Sequence, residues 1–236
     1  MLNFRRSGDR GKADHGWLKS RFTFSFADYY DRDQMGFRAL RVINDDHIAA
    51  GQGFGPHAHR DMEILTYVLE GKVLHRDSTG NRYILGPNEI QTMSAGSGIV
   101  HSEFNASETE ELHLFQIWIF PDTEDLKPGY QQIAFDPAEK KARLRLLAAP
   151  EKIGKEPMTV IHQNVRVYVA ELAPKENVSY SLGPGRYGWV QLMTGDIMIN
   201  GQFMREGDGV AIESEQELFI SGDGARGGEF LLFDLP

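Results

Sequence analysis

Short apolar segments separated by turn-forming residues recur along the whole chain, and they restrict the possible folds more than any other feature. In "RFTFSFADYY", Phe22, Phe24 and Phe26 alternate with smaller residues, which is the period of a β-strand. Later segments such as "LHLFQIWIF", "VRVYVAEL" and "EFLLFDL" are similarly short, and Gly- or Pro-containing turns lie between them. Because strands spaced about 8–12 residues apart with such turns are typical of β-sandwiches and barrels, we predict an all-β fold.

Two local features refine this prediction. The segment "EILTYVLEGKVLHRD" predicts a hairpin whose bend lies at Glu70 and Gly71. Residues 131–160 interrupt the strand pattern with polar and proline-bearing sequence, which predicts a linker. Within this linker, Asp136 can act as an N-cap and Pro137 can occupy the first helical position, so we expect one short helix.

The composition narrows the classes of function. The chain contains no cysteine, which excludes disulfides, zinc–thiolate sites and a cysteine nucleophile. A formal charge of −9 offers no electrostatic support for binding nucleic acid. The longest apolar run is too short to span a bilayer, and the N-terminus lacks the apolar core of a signal peptide. We therefore expect a soluble, cytoplasmic protein without a membrane or a direct nucleic-acid partner.

Two pairs of ligand-type residues indicate a metal site. In "GFGPHAHRDMEI", His57 and His59 are separated by one residue, and Glu63 follows; in "VHSEF", His101 and Glu103 have the same spacing. Alternate residues of a strand point to the same face, so each pair can direct its side chains to one point. Three neutral imidazoles and one carboxylate suit a first-row divalent ion with open positions for a substrate. The spacing alone does not decide between the two glutamates.

A possible internal repeat confines this site to the first half of the chain. "YVLEGKVLH" resembles "QLMTGDIMI" when Gly71 is aligned with Gly195, and no histidine follows His162. Under that alignment the candidate ligands fall on residues that bind transition metals poorly: His57 on Ser181, His59 on Gly183, and Glu63 on Tyr187. If the halves are copies of one barrel, only the first can hold the metal.

The motifs resemble those of a known family. "GQGFGPHAHRDMEILTYVLEG" and "GSGIVHSEFN" are similar to the two motifs of the cupin superfamily, although Gly96 stands where a proline is usual. The closer resemblance is to the pirin family, carried by "RGKADHGWLKSRFTFSFADYYD", "HAHRDMEILTYVLEG", "MSAGSGIVHSEFN" and "LHLFQIWI". It covers the first 120 residues densely and the second half loosely.

The resemblance to pirins implies a ligand set and a domain arrangement. It implies that His57, His59, His101 and Glu103 bind the metal, and it leaves Glu63 as a group that orients a ligand histidine by a hydrogen bond. It also implies two tandem cupin-type (double-stranded β-helix, or jelly-roll) barrels. We place the metal-binding barrel at residues 1–130, the linker with its short helix at 131–160, and a degenerate barrel without metal ligands at 161–236. Fe(II) is the preferred ion, and Cu, Ni, Mn or Zn could also occupy such a site.

The resemblance implies the metal site more firmly than it implies the activity. Several pirins are quercetin 2,3-dioxygenases, which implies a dioxygenase that opens a flavonol such as quercetin with O2, with Glu103 also accepting the substrate proton. Its partners would be a small aromatic substrate and O2. The alternative is an iron-binding regulatory protein that modulates a protein partner without turnover. A third, less favoured possibility is isomerase or hydrolase chemistry on a small metabolite.

Three further histidines receive structural interpretations. His75 alternates within a strand, which favours a surface or hydrogen-bonding role over a place at the site. His113 lies in an apolar strand and is interpreted as a hydrogen-bonded core or pocket-lining residue. His15, in "DHGW", is interpreted as a loop residue.

Overall fold

The structure is a computed structural model that describes residues 1–151 and 156–236. Within these residues the secondary structure consists of β-strands and two 3-10 helices, Ser7–Asp9 and Pro137–Lys140, so the predicted all-β class is confirmed. None of the helices in the described part has the length and hydropathy needed to cross a bilayer. The strands, in chain order, are β1 (Leu2–Arg5), β2 (Gly11–Asp14), β3 (Leu18–Phe22), β4 (Leu40–Ile48), β5 (Gly53–His59), β6 (Glu63–Glu70), β7 (Val73–Asp77), β8 (Arg82–Leu85), β9 (Glu89–Ser94), β10 (Ile99–Asn105), β11 (Leu112–Ile119), β12 (Gly129–Ala134), β13 (Arg145–Ala149), β14 (Thr159–Val160), β15 (Arg166–Leu172), β16 (Asn177–Ser181), β17 (Tyr187–Ile199), β18 (Gln202–Arg205), β19 (Gly209–Ile212), β20 (Glu217–Gly222) and β21 (Gly228–Leu235).

The strands belong to two compact units that interleave in sequence. The N-terminal unit comprises Gly11–Phe135 and Pro150–Gln163. The C-terminal unit comprises Met1–Arg10, Asp136–Ala149 and Asn164–Pro236. These boundaries differ from the predicted 1–130, 131–160 and 161–236. The first ten residues join the C-terminal unit because β1 pairs antiparallel with β19, and the predicted linker contributes residues to both units.

In the N-terminal unit two sheets supply the scaffold of the predicted site. The larger sheet has the strand order β12-β9-β6-β11-β4-β3-β2, and the smaller has the order β5-β10-β7-β8. The predicted hairpin at Glu70 and Gly71 is wrong, because β6 pairs with β9 and β11 whereas β7 pairs with β8 and β10. The chain bends at Gly71, where φ is +78°, and passes from one sheet to the other.

The core of this unit includes two clusters of buried side chains among the described residues. One contains seven residues and packs against Trp17 and Phe54: Leu18, Ile48, Val68, Val73, Leu85, Leu112 and Leu114. The other is smaller and packs against Met62 and Trp118: Ile64, Met93, Ala95 and Ile99. The alternation of apolar residues in the sequence therefore corresponds to the inward faces of the strands.

The C-terminal unit repeats the strand pairing of the N-terminal unit. Its smaller sheet has the order β16-β20-β17-β18, which matches β5-β10-β7-β8 if the second half of β17 takes the place of β7. The first half of β17 pairs with β19 and β21, as β6 pairs with β9 and β11. Gly195 has a φ of +77°, nearly equal to that of Gly71. The predicted alignment of these two glycines therefore agrees with the topology.

The short helix predicted at Asp136 is present as a single 3-10 turn. The Asp136 carboxylate accepts a hydrogen bond from the backbone N–H of Ala138 at 2.8 Å. The Glu139 carboxylate accepts one from the backbone N–H of Asp136 at 3.1 Å. This reciprocal capping box, with Pro137 in the first turn, stabilises the start of the helix.

Candidate metal centre

The pairing of β5 with β10 brings the two sequence motifs together. His57 lies directly opposite His101, and His59 lies opposite Ile99. The register shifts between His101 and Glu103, where β5 contains an extra residue. Such a bulge bends a strand and changes the direction of its side chains, and it lies immediately beside the predicted ligands.

The three predicted ligand histidines form one cluster. The ring centroids lie 4.4 Å apart for His57 and His101, 4.8 Å for His57 and His59, and 4.8 Å for His59 and His101. One nitrogen of each ring lies within 4.8 Å of a nitrogen of the other two. The structure therefore brings together, from two strands, the imidazoles that the sequence predicted to meet.

The hydrogen bonding of these rings fits a metal-binding role. Among the described residues, Nε2 of His59 and both ring nitrogens of His101 are buried without a hydrogen-bond partner. Nδ1 of His57 lies 2.8 Å from the carbonyl oxygen of Gly55. If Nδ1 donates to that carbonyl, the lone pair of Nε2 is left for a cation. Buried imidazole nitrogens without partners are unfavourable unless a ligand engages them.

The electrostatic environment keeps two of the imidazoles neutral. Burial, together with the nearby His101 and His57 rings, lowers the pKa of His59 to about 4. Burial is also the main cause that lowers the pKa of His101 to about 4. A neutral imidazole is the form that coordinates a metal ion, so both rings are in the ligand form at neutral pH.

Glu103 is a buried, strongly hydrogen-bonded carboxylate that has an oxygen within 4.8 Å of ring nitrogens of His101 and His75. Its side chain is 1% exposed. Oε1 accepts from Gln91 at 3.0 Å and from Thr66 at 3.3 Å, and Oε2 accepts from Gln116 at 2.7 Å. Burial alone would raise the pKa of Glu103, but its interactions with His75, His101 and Gln91 outweigh burial and lower the pKa to about 2. The carboxylate is therefore ionised, as a metal ligand requires.

His75 lies at this site, although the sequence favoured a surface or hydrogen-bonding role for it. It is directly opposite Glu103 in the pairing of β7 with β10, and it is fully buried. Its Nε2 lies 3.0 Å from Oδ2 of Asp77, and its Nδ1 lies 4.0 Å from Oε1 of Glu103. Burial opposes protonation of His75, but the two carboxylates raise its pKa. His75 thus lies beside Glu103 on the side of β7 without a hydrogen bond between Nδ1 and the carboxylate, and it is hydrogen-bonded to Asp77.

Glu63 contacts groups other than those expected. It is 1% exposed and accepts a hydrogen bond from the hydroxyl of Ser94 at 2.8 Å. Its second oxygen lies 3.2 Å from Nδ1 of His162. Among the described residues, Glu63 is therefore hydrogen-bonded to Ser94 and His162, and not to a predicted ligand histidine. Sequence reasoning assigned no role to His162, since it is isolated in sequence from both motifs.

The hydrogen-bond donors to Glu103 were also missed by sequence reasoning. Gln91 and Gln116 lie on β9 and β11 of the larger sheet, in segments that read only as alternating strands. The hydroxyl of Tyr130 donates to Gln91 at 3.1 Å, and the indole N–H of Trp118 donates to Gln116 at 3.1 Å. A glutamine within an otherwise apolar strand, buried at Gln91 and half-buried at Gln116, is the signal that could have revealed them.

The cluster lies at the wall of a cavity of about 430 Å³. His57, His59 and Glu103 are among its lining residues, and His15, interpreted from the sequence as a loop residue, lies there too. Five aromatic residues also line it: Trp17, Phe22, Phe26, Phe54 and Trp118. A cavity of this size with apolar walls and a few convergent polar groups is typical of a small-molecule site.

A second group of histidines has different surroundings. Asp45, His47 and His113 have ligand atoms within 4.8 Å of one another. Nε2 of His113 lies 2.8 Å from Oδ1 of Asp45, and Nδ1 of His47 lies 2.9 Å from Oε1 of Glu111. His113 is therefore a hydrogen-bonded residue of the sheet, and it is not among the residues that line the cavity.

Comparison with known proteins identifies relatives over the full chain. The family model described as Pirin matches residues 3–119, and the model described as Quercetinase C-terminal cupin domain matches residues 146–235. A quercetin 2,3-dioxygenase of Escherichia coli K12 is 48% identical over 236 residues, covering 100% of this chain and 99% of the relative. A pirin-like protein of Caulobacter vibrioides is 40% identical over 211 residues, covering 89% of this chain and 90% of that protein.

Solved structures agree with these matches. The crystal structure of YhhW from Escherichia coli superposes with a TM-score of 0.93 at 47% identity and covers 100% of this chain and 98% of its own. The structure of the bacterial pirin YhhW in complex with nickel(II) has a TM-score of 0.92 at 46% identity and covers 100% of this chain and 99% of its own.

Proposed function

This chain belongs to the pirin family, and from that membership we propose that it is a metal-dependent dioxygenase that opens a flavonol such as quercetin with O2. The observation that carries the proposal is the cluster of His57, His59 and His101 at the wall of a cavity with several aromatic residues. The ionised carboxylate of Glu103 also lines this cavity and lies within 4.8 Å of a nitrogen of His101. A relative that is 48% identical over its full length bears the name quercetin 2,3-dioxygenase. Both the ligands and the cavity suit a flat aromatic substrate.

The proposed metal ligands are His57, His59, His101 and Glu103. Fe(II) is the proposed ion, and the nickel complex of a relative indicates that such a site also accepts other divalent ions. The site lies in the N-terminal unit, within the predicted metal-binding segment of residues 1–130. In the C-terminal unit the equivalent of the pair His57 and His101 is Ser181 and Glu217, so we propose that this unit binds no catalytic metal.

In the N-terminal unit, different side chains have different proposed roles in catalysis. A divalent cation held by the four ligands would supply positive charge that lowers the pKa of a substrate hydroxyl. Glu103 is the proposed acceptor of that proton. Since its pKa is about 2, Glu103 is a weak base and accepts only from a hydroxyl that has itself become strongly acidic. The aromatic walls exclude water and stack against the substrate rings.

The direct test is turnover by the iron-loaded protein. We expect quercetin absorbance to fall together with oxygen consumption, and we expect His101→Ala to abolish both because it removes a central ligand. His47→Ala is the matched control, since it removes a histidine that belongs to the other group and should leave turnover intact. Turnover by the wild type no faster than by His101→Ala would refute the activity, and a metal-sensitive protein partner would then favour the regulatory alternative.

A further inference from the structure

Two buried polar side chains of β4 line the cavity that the histidine cluster borders. Asn44 is 2% exposed and Asp46 is 3% exposed, and both are among the residues that form the cavity wall. They are two residues apart on one strand, so both side chains project from the same face of the sheet. Neither belongs to the proposed ligand set.

Each side chain retains an acceptor oxygen that the protein does not satisfy. Within the described residues, Oδ1 of Asn44 and Oδ1 of Asp46 are buried and have no hydrogen-bond partner. Ser20 hydrogen-bonds to the Asp46 carboxyl group, but Oδ1 is not engaged. Burying an acceptor without a donor is unfavourable, so such groups are usually completed by a ligand or an ordered water molecule.

The pairing of the strands places these acceptors at a defined position relative to Glu103. Gln116 donates to Oε2 of Glu103 and lies directly opposite Asn44 in the pairing of β11 with β4. Asp46 lies two residues further along β4, opposite Leu114. Gln116 therefore connects Glu103 to β4, the strand that carries the two acceptors. A ligand whose reacting end is at the histidine cluster can extend toward them.

The other residues that line the cavity with Asn44 and Asp46 indicate which chemical class of ligand fits there. Trp17, Leu18 and Phe22 are apolar neighbours in the same wall, and they offer no donor to the two oxygens through their side chains other than the indole N–H of Trp17. A flat ring packs against such side chains, and hydroxyl groups on its edge supply the missing donors. The complementary ligand is thus an aromatic compound with hydroxyl groups distant from its reacting end.

We propose that Asn44 and Asp46 form a substrate-positioning subsite, which accepts hydrogen bonds from ring hydroxyl groups of an aromatic ligand held at the histidine cluster. The proposal rests on the proposed function for the identity of the ligand class. It adds that hydroxyl groups not involved in the reaction determine which aromatic compounds the cavity selects. Both residues act through binding and position, and neither takes part in bond breaking.

The test compares two ligands by binding, without turnover. Quercetin and 3-hydroxyflavone are titrated into nickel-loaded protein under nitrogen, with tryptophan fluorescence as the readout, because Trp17 and Trp118 line the cavity. 3-Hydroxyflavone keeps the hydroxyl at the reacting end and lacks the others. We expect the wild type to bind quercetin at least about tenfold more tightly, which is the size of effect that one or two satisfied buried hydrogen bonds produce.

Variants then test whether Asn44 and Asp46 cause the preference for quercetin. Asn44→Leu and Asp46→Leu should each reduce the preference for quercetin severalfold while leaving the affinity for 3-hydroxyflavone within about threefold of the wild type. Asp46→Asn is the conservative variant, and it should keep part of the preference because it retains an acceptor oxygen. Metal content and the thermal unfolding temperature confirm that each variant is folded.

Several results would overturn the subsite. Equal wild-type affinity for the two ligands would do so without any variant, and so would an undiminished preference in both leucine variants. Equal weakening of both ligands would show a structural effect instead. Selective binding of quercetin in a protein that does not consume oxygen would sink the proposed activity and leave the subsite standing, so the two failures are distinguishable.

Discussion

Burial and neighbouring groups together set the protonation states of single side chains at the candidate site. The imidazoles of His59 and His101 are held neutral, whereas the carboxylate of Glu103 is held ionised by hydrogen bonds that outweigh burial. Asp46 is the opposite case. Burial is the largest cause that raises its pKa to about 7, and the charges of Asp45 and Glu103 add to the effect.

The state of Asp46 makes a prediction about the pH dependence of stability. In the metal-free protein, the raised pKa means that ionising Asp46 costs more in the folded chain than in the unfolded chain. The contribution of the protonated Asp46 side chain to the free energy of unfolding is fully present below pH 3.8 and is lost as the pH rises to about 7. We therefore expect Asp46→Asn to gain stability over the wild type across this range, by about 2–4 kcal/mol at pH 7.

Chemical denaturation of both metal-free proteins at several pH values from 4 to 8 measures this difference. Asp33→Asn is a suitable control, because the side chain of Asp33 is 85% exposed and should show no such trend. A difference between Asp46→Asn and the wild type that is constant with pH would mean that the carboxyl group titrates normally in the folded protein.

The turn between β9 and β10 shows how a local backbone shape positions the second motif. Gly96 occupies the place where a proline is usual in cupins, and its φ of +46° is one that proline cannot adopt. A Cβ atom at this position would lie 1.9 Å from the carbonyl oxygen of Leu126. That same carbonyl accepts a hydrogen bond from the backbone N–H of Ser97 at 2.8 Å. Only glycine therefore fits this turn.

Substitution of this glycine should disturb the strand that carries His101. We expect Gly96→Ala to lower the free energy of unfolding by about 1–3 kcal/mol, because the positive φ and the close approach of Leu126 both disfavour a side chain. Metal affinity should fall with it. Gly129→Ala is the matched control, since no atom lies within 4 Å of a Cβ built there. Urea denaturation compares the two, and equal stabilities would contradict the account of this turn.

At the scale of the whole molecule, the candidate ion sites found among the described residues all lie in one unit. The described residues contain three groups of histidine and carboxylate side chains that could hold an ion, and all three lie in the N-terminal unit. His101 belongs to two of these groups, and the third is the hydrogen-bonded group around His113. The two units therefore share a strand pairing, but among the described residues only the N-terminal unit contains such groups.

This asymmetry predicts one tightly bound divalent ion per chain. After loading with nickel and dialysis, elemental analysis should give one ion in the wild type and in His47→Ala, and almost none in His101→Ala. Saturating metal should also raise the unfolding temperature of the wild type, because a ligand at about 100 times its dissociation constant adds about 2.7 kcal/mol to stability. Retention of the ion by His101→Ala would contradict the proposed ligand set.

The sequence by itself determined the fold class, the alternating faces of the strands and the two pairs of candidate ligand residues. These features depend on residues close together in the chain, because the period of a strand and the spacing of His57 and His59 are local properties. The alignment of Gly71 with Gly195 could also be predicted from the sequence, because the corresponding bend of each unit contains a glycine.

Tertiary structure alone decided which residues meet across strands. β6 and β7 read as a hairpin, but they lie in different sheets, because β6 pairs with β9 and β11 whereas β7 pairs with β8 and β10. The neighbours of Glu103, the contact of Glu63 with His162, and the exposure of Asn44 and Asp46 to the cavity all depend on pairing between distant segments. Local spacing carries no record of such pairing, which is fixed only when the sheets pack around a common core.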